Sequence, residues 1–197
     1  AARTEAALSI DPDNPDLLDD LGLFKLTQAL RSQNAQARTA LLDASLASLE
    51  RSLSAAPMRP SVWMRYAYAL ERRRGYTDAV DRALLMSYDV GPAEQDALLF
   101  RLGFALSHWE QTSPALKRAS ARQAAVMWRY CCETRTQLLD LYLQLDTEEK
   151  IRAINVAVAD EARRQGEDEN AFLEQLRNRR AALKAQGGLD QGGLRLD

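Results

Sequence analysis

Trp63, Tyr66, Ala67 and Leu70 stand at spacings of three and four, and 36 residues further on Leu99, Leu102, Gly103 and Leu106 repeat those spacings. Such spacings put side chains on one face of an α-helix. A repeat of this length holds two helices and their turns. One pair cannot bury its apolar face alone, so neighbouring pairs must stack, which constrains the chain to an α-solenoid. Composition agrees. Apolar residues make up 46% of the 197 residues, enough for a core, and only 9 Gly and 6 Pro interrupt stretches rich in Ala, Leu, Arg and Glu. No sustained alternation of β-branched residues marks a strand.

In the second unit, Pro60 and Ser61 open a helix that runs through VWMRYAYALERRR to Gly75. Trp63, Tyr66, Ala67 and Leu70 are its core stripe. A second helix starts after Tyr76, with Thr77 or Asp78 near its cap and Ala79, Val80, Ala83 and Leu84 on its inner face. Gly91-Pro92 ends it, and the third unit follows at once with DALLFRLGFALSHW. Upstream, Asp11-Pro12 stops a short helix, because proline disfavours the helical conformation in the residue before it. Asn14-Pro15 opens the next helix, with Asn14 as cap and Pro15 in the first turn. Leu17, Leu18, Leu21 and Phe24 give its stripe, and Lys25 stands where an apolar residue would continue it. Gly22 and Gly103 lie inside helical stripes. A glycine there costs up to about 1 kcal/mol, so each predicts a close approach by a neighbouring helix.

These residues resemble the tetratricopeptide repeat family. The resemblance is carried by Trp63, Tyr66, Ala67, Leu70, Gly75-Tyr76, Ala79, Ala83 and Pro92 in the second unit. Leu18, Leu21, Gly22 and Pro57 carry it in the first, and Leu99, Leu102, Gly103, Leu106, Ala115 and Ala119 in the third. Ala7 and Pro12 look like the tail of a preceding repeat, so the chain is expected to start partway into one. The resemblance covers roughly residues 1–120. It departs at Lys25, which takes the place of Leu70 and Leu106, and at about 11 extra residues around RSQNAQAR.

Beyond Ala119 the pattern is lost. AARQAAVMWRYCC and LLDLYLQL read as one long helix or two abutting ones. Asp146 and Glu149 read as a capping box for a helix lined by Ile151, Ile154 and Val158 and broken at Gly166. A last helix carries Phe172, Leu173, Leu176 and Leu183 inside, with Arg177, Arg179 and Arg180 near its end, as the helix dipole favours. The expected organisation is helical repeats over 1–120, a packed helical extension over 121–186 and a flexible Gly-rich tail over 187–197.

The 26 basic and 28 acidic residues nearly cancel, which argues against a nucleic-acid partner. No apolar run reaches the length of a membrane span, so membrane contact is expected only through a segment missing from this chain. The chain begins with Ala1 rather than Met, as a processed or trimmed product does. The Ala/Arg-rich composition points to a GC-rich bacterial source, with a periplasmic or membrane-associated location expected and a cytoplasmic one as the alternative. His108 is the one histidine, and the pairs Asp19-Asp20 and Glu148-Glu149 read as solvated helix faces and caps. The tail GGLDQGGL lacks the Lys-Ser/Thr of a phosphate-binding loop. Cys131 and Cys132 read as small apolar helix residues pointing about 100° apart, and with a single histidine they cannot build a Cys/His zinc site. No catalytic residue, metal ligand or cofactor is expected.

In tetratricopeptide arrays the first helix of each pair lines a concave groove. The resemblance therefore implies a groove lined by Asp19, Leu23 and Leu26 in the first unit, Met64, Tyr68, Glu71 and Arg72 in the second, and Phe100, Phe104 and His108 in the third. Tyr68 and Phe104 are expected to be solvent-accessible, since exposed aromatics beside an arginine anchor peptides and helices. The expected function is a non-enzymatic scaffold or adaptor that binds a partner protein. The alternative is a structural subunit of a larger bacterial envelope or membrane-associated assembly.

Overall fold

The computed structural model describes residues 2–130, 132–168 and 170–185. Among the described residues there are ten helices and no strand. They are α1 (Ala2–Leu8), α2 (Pro15–Arg31), α3 (Ala35–Ala55), α4 (Pro60–Arg74), α5 (Asp78–Val90), α6 (Gln95–Ser107), α7 (Pro114–Arg129), α8 (Glu133–Tyr142), α9 (Glu148–Arg164) and α10 (Ala171–Ala185). The all-α class required by the repeat is the class adopted. The chain divides into two compact units, Ala1–Ala97 and Leu98–Asp197. That division falls inside α6, upstream of the boundary expected near residue 120. The tail expected over 187–197 lies outside the described residues, as does Cys131.

In the first unit the Asn14 side-chain oxygen accepts from the amides of Asp16 and Leu17, both at 3.1 Å, so α2 is capped as its sequence requires. Pro15 and Pro60 occupy the first turns of α2 and α4, where a missing N–H costs nothing. Each proline carbonyl also accepts from a serine at the far end of the following helix. Ser52 Oγ donates to Pro15 O at 2.7 Å, and Ser87 Oγ donates to Pro60 O at 2.7 Å. These bonds make α2/α3 and α4/α5 antiparallel hairpins. Arg59 bonds Asp16 at 2.7 Å and Arg65 bonds Asp19 at 2.5 Å, so partners climb together along α2 and the α4 segment, and the two first helices run parallel. Between α3 and α4, Tyr66 Oη donates to Glu50 at 2.6 Å and Arg73 Nε to Asp43 at 2.7 Å, the descending order of an antiparallel pair.

The extra residues of the first hairpin do not form a long loop. They lengthen its helices: α2 and α3 have 17 and 21 residues, against 15 and 13 in α4 and α5. Gly22 meets its expectation, since a Cβ there would stand 2.7 Å from Leu49 Cγ. Gly103 does not, because its Cβ would meet only Leu141 Cδ1 at 3.7 Å, an ordinary contact. The core stripe of α4 is also shifted. Val62, Ala67, Ala69 and Leu70 are buried, whereas Trp63 and Tyr66 are half-buried. Both aromatics keep a polar edge outward: Trp63 Nε1 donates to Pro57 O at 2.7 Å, and burial with the Glu50 bond pushes the Tyr66 hydroxyl up to about 12.

In the second unit Lys117 bonds Glu149 at 2.9 Å near the helix starts, and Arg129 bonds Glu161 at 2.9 Å near the helix ends. These pairs make α7 and α9 parallel. Arg135 with Glu167 (2.7 Å) and Asp140 with Arg179 (2.6 Å) likewise align α8 with α10 and its lead-in. Leu102, Trp109, Met127, Trp128, Leu138, Ile154, Val158 and Phe172 belong to one buried cluster. Arg135 lies over the Trp128 ring at 4.3 Å and donates to the Trp128 carbonyl, while Trp128 Nε1 donates to Glu167 at 3.0 Å.

Three sequence expectations are corrected here. AARQAAVMWRYCC and LLDLYLQL form two abutting helices, one of the two readings expected, but Cys132 between them is exposed, with a φ of 61° at the N-cap of α8. It is not a packed helix residue. Thr147, without a side-chain cap bond, is the N-cap of α9, and Asp146 bonds Lys150 at 2.7 Å instead of forming a capping box. Leu99, expected in the core, is 40% exposed, and Leu98 is buried in its place.

Candidate functional site

The candidate surfaces are two patches, one in each unit. In the first unit, Leu23 is 38% exposed on α2. On α4, the Arg72 guanidinium sits 5.6 Å from the centre of the half-buried Tyr68 ring. The two residues are one turn apart, so helix geometry alone brings them together. Arg72 also lies 3.9 Å from Glu71, at the outer limit of an ion pair, and its side chain remains 49% exposed. Met64, one turn before Tyr68, is half-buried. Asp19 is not a groove-facing acid: it is buried, and it bonds Arg65 at 2.5 Å and Arg59 at 3.4 Å. Leu26 is buried at 3% exposed and belongs to the core.

In the second unit the patch lies along α6. Leu99 and Phe100 are 40% and 38% exposed. Gly103 follows them at i+4 and i+3, on the same face. Gly103 adds no side chain to that face, and Leu141 packs beside it, 3.7 Å from where a Cβ would stand. Leu99 and Phe100 with Gly103 and Leu141 make an all-apolar strip there. Phe104 departs from expectation. It is 7% exposed, its ring stacked on Phe100 at 5.8 Å and tilted against His108 at 4.7 Å. His108 is half-buried, its Nδ1 3.0 Å from Phe104 O and 3.0 Å from Ser107 Oγ.

No protein-family model, curated protein or solved structure matches this chain. The patches therefore stand on their geometry. Within the first unit the fold brings Tyr68 and Arg72 together. Within the second it groups Phe100, Phe104 and His108, with Phe104 as the buried member. Among the described residues no group of three or more His, Cys, Asp or Glu could hold a metal ion, and no helix is long and apolar enough to cross a membrane.

Sequence reasoning missed two features. The exposed Leu99 was masked by its alignment with Trp63, since a one-residue change of register moves a side chain about 100° around a helix. Arg101 is fully buried and donates to Gln123 at 2.8 Å inside the second unit. Its position between Leu98, Leu102 and Ala105 was the available signal, because a residue flanked at i−3, i+1 and i+4 by core positions shares their face.

Proposed function

We propose that this chain is a non-enzymatic protein-interaction module, a tetratricopeptide-like array of helix hairpins with further helices after it, and that it holds a partner protein. The observation that carries the reading is the exposed apolar pair Leu99 and Phe100 on α6. They flank Gly103 on one face of the helix, so apolar side chains of a partner can pack across them. Burying two such side chains drives association, and a pocketed aromatic is the usual hot spot of an interface. The Tyr68–Arg72 pair supports the same reading, since an aromatic ring topped by a guanidinium offers both apolar area and a charge.

The test is affinity purification of the intact protein from its own cells, with the parent and a Leu99→Asp/Phe100→Asp variant side by side. The recovered partner should fall at least about tenfold with the variant, as for loss of one hot-spot residue. Melting curves establish that the variant is folded. Equal recovery by a folded variant would remove α6 from the interface.

A further inference from the structure

We propose that the exposed face of α7 is a docking surface for an acidic protein segment, recognised by Arg118 and Arg122. Between Glu110 and Glu133 the chain carries Lys117, Arg118, Arg122 and Arg129 and no acidic residue. The fold treats these cations unequally. Lys117 is bound by Glu149 and Arg129 by Glu161, both from α9. Arg118 and Arg122 are exposed, and neither meets an acid among the described residues.

The two arginines are one turn apart and point away from the buried side of α7, which carries Leu116, Ala119, Gln123, Ala124 and Met127. Like charges at this spacing repel, so the pair weakens the helix it sits on. Among the described residues no acid offsets that repulsion, and an external anion would. Ala115 and Ala125 continue the same row and keep it low, so a second helix can lie along it. Carboxylates one turn apart on that helix would match the two guanidiniums, which bind carboxylate with paired donors. A nucleic acid or lipid surface calls for a broader basic field, and this chain carries a net charge of −2. The inference rests on the reading of the chain as a partner-binding module, but it uses a different helix.

Nuclear magnetic resonance on the full, 15N-labelled chain tests it. The probe is a helical alanine-based peptide with Glu at every fourth position, compared with the same peptide carrying Gln. The Nε–H resonances of Arg118 and Arg122 and the α7 amides should shift with the Glu peptide and stay unmoved with the Gln peptide. Arg118→Gln/Arg122→Gln should melt at or slightly above the parent and bind about tenfold more weakly, as loss of two exposed charge pairs warrants. Shifts scattered away from α7, equal binding of the Gln peptide, undiminished binding by the variant or no response to the Glu peptide would each overturn the proposal. So would larger α7 shifts with a single-stranded oligonucleotide or with phosphatidylserine vesicles. A partner lost or kept on changing Leu99 and Phe100 leaves this measurement unaffected, so the two readings fail separately.

Discussion

The Ser87 hydroxyl reaches the carbonyl of Pro60 at 2.7 Å and fastens the end of α5 to the first turn of α4. Ser52 and Pro15 repeat that relationship in the preceding hairpin. The proline carbonyl already belongs to its helix, so the serine uses its second lone pair. Ser87→Ala should cost about 0.5–1.5 kcal/mol, the net worth of one hydrogen bond, and Ser52→Ala more, because Ser52 Oγ also accepts from Arg59 at 3.1 Å. Urea denaturation of both variants measures this, and a parental midpoint in both would show that the bonds do not hold the hairpins.

The two helical glycines should respond in opposite directions. At Gly22 a new methyl group would stand 2.7 Å from Leu49 Cγ, so Gly22→Ala should destabilise by about 1–3 kcal/mol through overpacking. At Gly103 the methyl group meets Leu141 at an ordinary 3.7 Å, so Gly103→Ala should gain up to about 1 kcal/mol from helix propensity. Thermal melts of the two variants decide it. If both fall, Gly103 is a packing residue after all.

The register of α6 can be read from two leucines three positions apart. Leu102 is fully buried, and Leu102→Ala should cost about 2–5 kcal/mol. Leu99 is 40% exposed, and Leu99→Ala should stay within about 0.5 kcal/mol of the parent. Comparable losses in both would put the stripe back where the repeat alignment places it.

Acid should loosen the second unit through Glu161. The Arg129 hydrogen bond, with help from Gln165 and Arg164, outweighs burial and holds its carboxyl from 4.5 down to about 2. A depressed carboxyl stabilises the fold above its unfolded value, and that contribution is lost as the pH falls from 4.5 towards about 2. Arg129 remains 61% exposed, so solvent screens part of the gain. Glu161→Gln should therefore cost about 1–2 kcal/mol at neutral pH. Denaturation midpoints across this range should converge with the parent's in acid; a gap that persists would assign the loss to packing instead.

The hairpins were legible because their signals are local. Asn14-Pro15, Pro60, Gly75 and Gly91 punctuate the chain, and spacings of three and four mark each helix. Gly22 was legible too, since a glycine inside a stripe has few uses besides close packing. Register was less so. Trp63 and Leu99 align in sequence, yet neither is a fully buried core residue, because an aromatic with a polar edge and an aliphatic beside Leu98 satisfy the same pattern in other ways. The parallel course of α7 and α9 had no local signal at all. It rests on Lys117 with Glu149 and Arg129 with Glu161, pairs set by tertiary geometry. The patches were partly legible: Leu23, Tyr68, Arg72 and Phe100 were named, whereas Phe104 lies inside because nearly every face of α6 is apolar and a helix of that kind is covered on most sides.

The serine-to-proline bonds span only 37 and 27 residues, and each joins the two helices of its own hairpin, with Arg59 from the next hairpin added at the first. Contacts of such short separation cost little loop-closure entropy and form early. A chain leaving the ribosome can therefore complete α2/α3 before α5 has been synthesised, and α4/α5 then has a finished surface to grow on. Such closure favours folding of this unit by sequential addition, in the order in which its residues are translated.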